Sequence, residues 1–98
     1  MITISVLVTI DIPAAQSLKD KRSVVRSLVE RLRQRLHLAA AETAMQDHVQ
    51  AGQIGFAAVS GDRAAARHQV EDALRFIDDE LLGRAEIRDI TREESELE

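Results

Sequence analysis

Cysteine, tryptophan and tyrosine are absent from this sequence of 98 residues, and Phe56 and Phe76 are its only phenylalanines. Without cysteine the chain can form no disulfide, thiolate metal site or cysteine nucleophile. This composition favours a reducing compartment, so we expect a cytoplasmic protein. The scarcity of aromatic side chains removes the platforms on which most single-strand binding proteins stack bases.

Long apolar runs are lacking too. No segment approaches the roughly 20 apolar residues that a membrane-spanning helix needs, so no membrane association is expected. The segment Met1–Val6 alternates polar with apolar residues and has no basic stretch, which is not the pattern of a signal peptide. A chain of this length is expected to form one hydrophobic core.

The net charge of -4 hides an uneven distribution. Between Lys19 and Arg35 there are seven basic and two acidic residues, whereas the rest of the chain has six basic and fifteen acidic residues. Asymmetry of this kind indicates an element that faces a polyanion on an otherwise acidic protein.

The first half of the chain reads as a strand, a helix and a second strand. Apolar and polar residues alternate over 2–12, which predicts a strand with one buried face, and Pro13 ends it because proline has no N–H group. Ser17, followed by Asp20, is typical of a helix N-cap. The helix that follows has one apolar stripe, made of Val24, Val25, Leu28, Val29, Leu32 and Leu36. The alanine-rich segment 38–46 is predicted to be a weak strand at a sheet edge.

The second half repeats this pattern. After a polar loop, alternation around Ile54, Phe56 and Ala58 predicts a third strand. A second helix is predicted over 63–82, with Gly83 just beyond its end, and a short fourth strand over 85–91.

The element order β-α-β-β-α-β predicts a ferredoxin-like α+β fold, a two-layer sandwich in which two helices cover one face of an antiparallel sheet. The first and third strands are the most strand-like and are expected at its centre, with the other two at its edges. We expect a single domain over 1–92 and a frayed acidic tail over 93–98.

Three segments resemble the YlxP-like proteins, a bacterial family of unknown function: SLKDKRSVVRSL at 17–28, AETAMQD at 41–47 and IGFAAVS at 54–60. The resemblance runs from the first strand to about Arg92 and implies a ferredoxin-like fold. Family genes commonly lie among translation and ribosome-maturation genes, near one for a small-subunit binding factor, which implies a link to RNA or the ribosome. In relatives the loop after the second strand typically reads Gln-Asp-x-Trp-Gln-Arg. Here it reads QDHVQA from Gln46, so any function that needs that tryptophan and arginine is not expected.

The basic residues of the first helix are candidates for an anion or nucleic-acid site. At about 100° per residue, Lys19, Arg22, Arg26 and Arg33 form one stripe beside the apolar arc. The first turn also carries Lys21, although the helix dipole disfavours each cation there by about 0.3–1 kcal/mol. Free N–H groups at a helix start surrounded by bases favour phosphate binding. The predicted contacts are Lys19, Lys21, Arg22, Arg26 and Arg33.

The same charges are also compatible with two roles that involve no ligand. The stripe can be an ordinary solvated face whose lysine and arginine stems cover the edge of the core. Alternatively, the first-turn bases can pair with acids at the same edge of the fold, which are Asp47 in the loop and Asp78, Asp79 and Glu80 at the end of the second helix.

The loop after the second strand is a second candidate, through Asp47, His48 and Gln50. A neighbouring Asp–His pair is too common to indicate a metal or acid–base site, since ligands must converge in space. No metal, cofactor or catalytic residue is predicted. Acylphosphatase, an enzyme with this fold, has an arginine in the phosphate loop after its first strand, and the corresponding segment 11–16 has none. We therefore expect no enzymatic activity and no small-molecule substrate.

Two functional hypotheses follow. The first is a non-catalytic accessory protein that binds RNA or the small ribosomal subunit through phosphate contacts of the first helix. The second is a homo-oligomeric interaction module without nucleic-acid binding, for instance a homodimer. In it the weak strand 38–46 or the open sheet face contacts another copy, and the bases neutralise a neighbour's acidic tail.

Overall fold

The alternating N-terminal segment forms the strand around which the sheet is built. A computed structural model describes all 98 residues. Its elements are β1 (Ile2–Asp11), α1 (Leu18–Arg35), β2 (Ala39–Ala44), β3 (Ala51–Ser60), α2 (Arg63–Leu81) and β4 (Glu86–Glu96). The four strands form one antiparallel sheet in the order β2-β3-β1-β4. The predicted ferredoxin-like order is confirmed, with β1 and β3 central and β2 and β4 at the edges.

The core lies between the sheet and the two helices. Ile4, Val8 and Ile10 of β1 are fully buried, and so are Leu32 of α1 and Ile77 of α2. Burying a side chain of this size contributes about 1.5–3 kcal/mol relative to leaving it in water. The apolar stripes of both helices therefore fix them to the same face of the sheet, and the opposite face has no helix over it.

Local hydrogen bonds set where α1 begins and ends. The Ser17 hydroxyl accepts from the Asp20 N–H at 3.1 Å, and the Asp20 carboxylate accepts from the Gln16 N–H at 3.0 Å. The predicted N-cap is thus present, with Asp20 reaching one residue further back than a capping-box side chain would. At the other end His37 adopts a φ of 55°, a left-handed conformation that turns the chain toward β2.

The C-terminal strand differs from the prediction. Pairing with β1 runs as far as Glu96, so residues 93–96 belong to the sheet and are not a frayed tail. The Leu97 N–H also donates to the Met1 carbonyl at 2.8 Å. No apolar alternation marks this extension, because every residue from Arg88 onward is exposed. The backbone ladder to β1 carries the pairing, and ion pairs from Glu94 and Glu96 to α2 add to it. Neither helix is long and apolar enough to cross a membrane.

Candidate functional site

Most basic side chains of the molecule are paired with acids. Eight of them have a carboxylate oxygen within 4.0 Å, namely Lys21, Arg31, Arg35, Arg63, Arg67, Arg75, Arg88 and Arg92. The remaining five of the thirteen are Lys19, Arg22, Arg26, Arg33 and Arg84. The unpaired bases are therefore the first place to look for a site that binds an anion.

Three of the unpaired bases lie together on the first half of α1. Lys19, Arg22 and Arg26 are exposed and, with Ser23, line a shallow depression of about 460 Å³. Their spacing of three and four residues places them on one helix face. We call Lys19, Arg22 and Arg26 the cationic cluster.

Lys21 was predicted to belong to the same binding surface, but it does not lie on it. Its side chain is completely buried, and its ammonium donates to the Met45 carbonyl at 2.6 Å and lies 3.1 Å from Glu42 Oε2. A buried, paired lysine offers no charge to a ligand, so Lys21 is removed from the predicted contacts. The burial of Lys21 could have been predicted from the same helical projection that grouped the exposed bases. At about 100° per residue, Lys21 lies about 60° from Val24, inside the apolar arc.

Arg33 lies further along α1, and one of its N–H groups already donates a hydrogen bond within the protein. Its Nε donates to the Ala40 carbonyl of β2 at 2.8 Å. Arg31 and Arg35, on the opposite flank, both contact Glu80 of α2. The predicted stripe thus divides into a free group near the helix start and Arg33 near its end, which contacts β2.

The alternative hypothesis, that nearby acids pair with the first-turn bases, holds for Lys21. Its partner is Glu42, which was not one of the four predicted acids. Glu80 pairs with the end of α1 and not with its first turn. Asp47, Asp78 and Asp79 form no ion pair within 4.0 Å. Lys19 and Arg22 therefore form no ion pair within 4.0 Å at the end of the helix where the dipole disfavours cations.

The loop between β2 and β3 is a tight, tethered turn. Met45 has a φ of 62°, and its carbonyl accepts from the His48 N–H at 3.1 Å. The side-chain amide of Gln50 donates to the carbonyls of Pro13 and Ala15 at 3.1 and 3.2 Å. Gln50 is therefore a structural contact to the β1–α1 connection, whereas the exposed Asp47 and His48 side chains make no such contact.

His48 and Gln50 line an open cleft of about 720 Å³ whose far wall is the ion pair between Asp11 and Arg88. Hydrogen bonding to Asp11 raises the pKa of Arg88 above its usual value. The guanidinium in this cleft is thus already neutralised by Asp11. No three histidine, aspartate or glutamate side chains converge in a way that could hold a metal ion.

Along the junction of α2 and β4, acids and bases alternate. Arg63 and Arg67 both bind Glu94, Arg63 also binds Glu96, and Arg92 binds Glu71. The hydrogen bond from Arg67 lowers the pKa of Glu94, and the charges of Arg67 and Arg63 add to this effect. We call this junction the α2–β4 seam; it uses two carboxylates of the predicted acidic tail within the chain itself.

The open face of the sheet carries a strip of small and apolar residues among polar ones such as Ser5 and Thr91. A shallow groove of about 440 Å³ crosses it, lined by Leu7, Ala39, Ala41, Gly55 and Ala57 among others. Leu7 is 39% exposed there, and Val59 is 54% exposed. Glu93 of β4 borders the groove.

Comparison with known proteins places this chain in a family. The family described as "Protein of unknown function (DUF503)" matches residues 3–92. The uncharacterized protein YlxP of Bacillus subtilis (strain 168) is 34% identical over 64 residues, which cover 65% of this chain and 70% of that protein.

Two solved structures share the fold. A de novo designed protein with a ferredoxin fold superposes with a TM-score of 0.60 at 16% identity, over 99% of this chain and 88% of that one. A dimeric ferredoxin-like protein from an uncultured marine organism gives 0.54 at 11% identity, over 100% and 99% of the two chains. The YlxP-like resemblance is confirmed, and this chain belongs to the DUF503 family of proteins of unknown function.

Proposed function

We propose that this protein is a non-catalytic, cytoplasmic accessory protein that binds RNA, free or in the ribosome, by placing phosphates on the cationic cluster. Lys19, Arg22 and Arg26 supply the contacts; Lys21 no longer belongs to the set, and Arg33 is at most a peripheral addition. Contacts to phosphates give affinity and little sequence information.

The observation that carries this proposal is that three neighbouring cations have no carboxylate oxygen within 4.0 Å, although Asp20 lies in the same helical turn as Lys19. Like charges three and four residues apart on a helix destabilise it by about 0.2–0.5 kcal/mol per pair, and the helix start adds a further cost for Lys19 and Arg22. Elsewhere in the molecule eight bases have carboxylate partners. A bound polyanion would supply the negative charge that the protein does not place next to the cationic cluster.

The absence of catalysis is part of the same proposal. In its support, the His48 side chain makes no hydrogen bond to an acid or base, and the Arg88 charge beside it is neutralised by Asp11. A histidine that acts as a general base is commonly held in one orientation by a hydrogen bond from its second ring nitrogen to a carboxylate or carbonyl.

The test compares two triple variants with the same change in net charge. In Lys19→Ala/Arg22→Ala/Arg26→Ala we expect binding to a short single-stranded RNA and to purified small ribosomal subunits to weaken by about tenfold or more at low salt. The control is Arg35→Ala/Arg75→Ala/Arg84→Ala, whose three side chains are exposed and lie outside the cluster. Equal affinities of the cluster variant and the control would refute the proposal.

The groove on the open sheet face favours a second candidate, self-association. An exposed Leu7 surrounded by alanine and glycine forms a flat apolar strip that a second copy could cover. One of the proteins with the same fold is described as dimeric. The role first suggested for the acidic tail is weakened, because Glu94 and Glu96 are already bound to Arg63.

Sedimentation velocity tests this candidate. If two copies meet through the open face, Leu7→Lys should convert a dimer to a monomer. The control Leu82→Lys, at a leucine that is 82% exposed at the end of α2, should leave the dimer intact. A wild-type protein that is monomeric at high concentration would eliminate the candidate.

A further inference from the structure

Lys21 is held in an unusual place for a lysine. Its side chain is completely buried, and its stem passes over Gly52, where a Cβ atom would lie 3.3 Å from Lys21 Cε. Replacing a buried ion pair by apolar side chains is often neutral or stabilising. The lysine is therefore best explained by what its ammonium binds, which is the Met45 carbonyl at 2.6 Å.

That carbonyl closes the turn at the start of the β2–β3 loop. It accepts from the His48 N–H at 3.1 Å, so Met45–His48 is one hydrogen-bonded turn, and Lys21 ties this turn to the first turn of α1. The far end of the loop is fixed as well, because the Ile12 N–H donates to the Gln50 carbonyl at 2.9 Å. The loop is thus tethered at one end to α1 and at the other to the segment that leads into α1.

Between these tethers, three polar side chains are left without partners. Gln46, Asp47 and His48 are exposed, and none of their side chains makes a hydrogen bond or an ion pair. An amide, a carboxylate and an imidazole are groups that can hydrogen-bond to the edges of unpaired bases. They follow Met45, whose carbonyl is bound by Lys21 in the helical turn that also carries Lys19 and Arg22.

We propose that Lys21 is a positioning residue that holds the Met45–His48 turn so that Gln46, Asp47 and His48 contact the bases of a single-stranded RNA whose phosphates lie on the cationic cluster. This inference rests on the proposed function and adds base selectivity to it. The cluster supplies affinity, the turn supplies preference among bases, and Lys21 sets the position of the turn relative to the cluster.

The test measures the ratio of affinities for labelled RNA homopolymers of A, C and U of about 12 nucleotides. Base contacts of this kind discriminate by about fivefold or more, so the wild type should prefer one homopolymer by at least that factor. Gln46→Ala/Asp47→Ala/His48→Ala should bring the ratio close to one. The control His68→Ala/Gln69→Ala/Asp78→Ala removes the same residue types from exposed positions of α2 and should keep the wild-type ratio.

A second variant, Lys21→Met, tests the positioning of the turn separately from its contacts with bases. It keeps a buried side chain of similar shape and removes only the ammonium group. We expect this variant to lose the base preference although all three turn side chains remain. A folded Lys21→Met protein, as judged by circular dichroism, that keeps the wild-type ratio would refute the positioning role. If this variant does not fold, the triple turn variant decides, since its exposed residues do not support the core.

The proposed RNA binding and the proposed base selectivity are refuted by different results. If Lys19→Ala/Arg22→Ala/Arg26→Ala binds all three homopolymers as tightly as the wild type, the proposed function fails and this inference fails with it. If that variant binds weakly but the turn variant keeps the wild-type ratio, or if the wild type has no preference, only the inference is overturned.

Discussion

The two helices carry their basic side chains in contrasting surroundings. Each arginine of α2 has a carboxylate partner, on β4 or on the helix itself. On the first half of α1, Lys19, Arg22 and Arg26 have no carboxylate within 4.0 Å. Because three bases of α1 are also paired with acids, the position of the acids, and not only the number of bases, decides which positive charges are available to a partner.

The contrast is equally clear within a single turn of α1. Lys19 and Arg22 point into solvent, whereas Lys21 between them is fully buried against Glu42 and Met45. Three neighbouring bases therefore have different roles: the exposed pair is available for binding, and the buried lysine holds an edge strand and its loop. Mutations can separate these roles, since stability and binding should respond to different residues.

The largest effect on stability is expected at Lys21. Lys21→Ala removes the stem from the core and leaves Glu42, whose side chain is only 26% exposed, without its counter-charge. Breaking a buried pair in this way should lower the free energy of unfolding by about 3 kcal/mol, measured by urea denaturation. Lys19→Ala and Arg22→Ala should change it by no more than about 0.5 kcal/mol. Similar values for all three variants would remove the distinction between the buried and the exposed bases.

A smaller effect is expected where the lysine stem crosses β3. Gly52→Ala places a Cβ atom 3.1 Å from Val25 Cγ2 and 3.3 Å from Lys21 Cε. Crowding of this kind should cost about 1–2 kcal/mol. The matched control is Gly61→Ala, whose added Cβ meets no atom within 4 Å, and it should be neutral or slightly stabilising. If Gly52→Ala is as stable as Gly61→Ala, the lysine stem is not confined between α1 and β3.

The smallest effect is expected in the α2–β4 seam, and it should depend on pH. Because Arg67 lowers the pKa of Glu94 below the ordinary value of 4.5, the pair stabilises the fold above that pH, and the stabilisation is lost as the pH falls through the folded-state pKa. Glu94→Gln should therefore be less stable than the wild type at neutral pH and equally stable in acid, when thermal unfolding is followed across the pH range.

Glu98→Gln, at an exposed carboxylate without an ion pair, should match the wild type throughout. High salt should also reduce the difference between Glu94→Gln and the wild type, because exposed ion pairs are screened. A difference that does not vary with pH would mean that the seam is held by packing rather than by charge.

The fold could be predicted largely because its determinants are local and periodic. Alternation in β1 and the apolar stripe of α1 each fix one buried face. The Ser17 side chain caps the start of α1, and the positive φ of Gly83 marks the end of α2. The end of β4 could not be predicted in this way. Its last residues are paired through the backbone and through ion pairs to α2, which are contacts between segments far apart in the chain.

The candidate site was predictable only in part, for a similar reason. Helical spacing groups Lys19, Arg22 and Arg26 correctly on one face, but it carries no information about which acids approach from neighbouring elements. Lys21 could have been separated by its place inside the apolar arc. The partners of Lys21, Glu42 and the Met45 carbonyl, could not have been predicted, because these contacts depend on how β2 packs against α1.

The salt dependence of RNA binding tests most directly whether the unpaired charges of α1 are a binding surface. For single-stranded RNA each phosphate contact contributes about 0.7 to the slope of log K against log salt concentration. Loss of three contacts in Lys19→Ala/Arg22→Ala/Arg26→Ala should therefore reduce the magnitude of the slope by about 2, while Arg35→Ala/Arg75→Ala/Arg84→Ala keeps the wild-type slope. Equal slopes in both triple variants would contradict a binding role for the cationic cluster, because the position of the three removed charges would then make no difference to RNA binding.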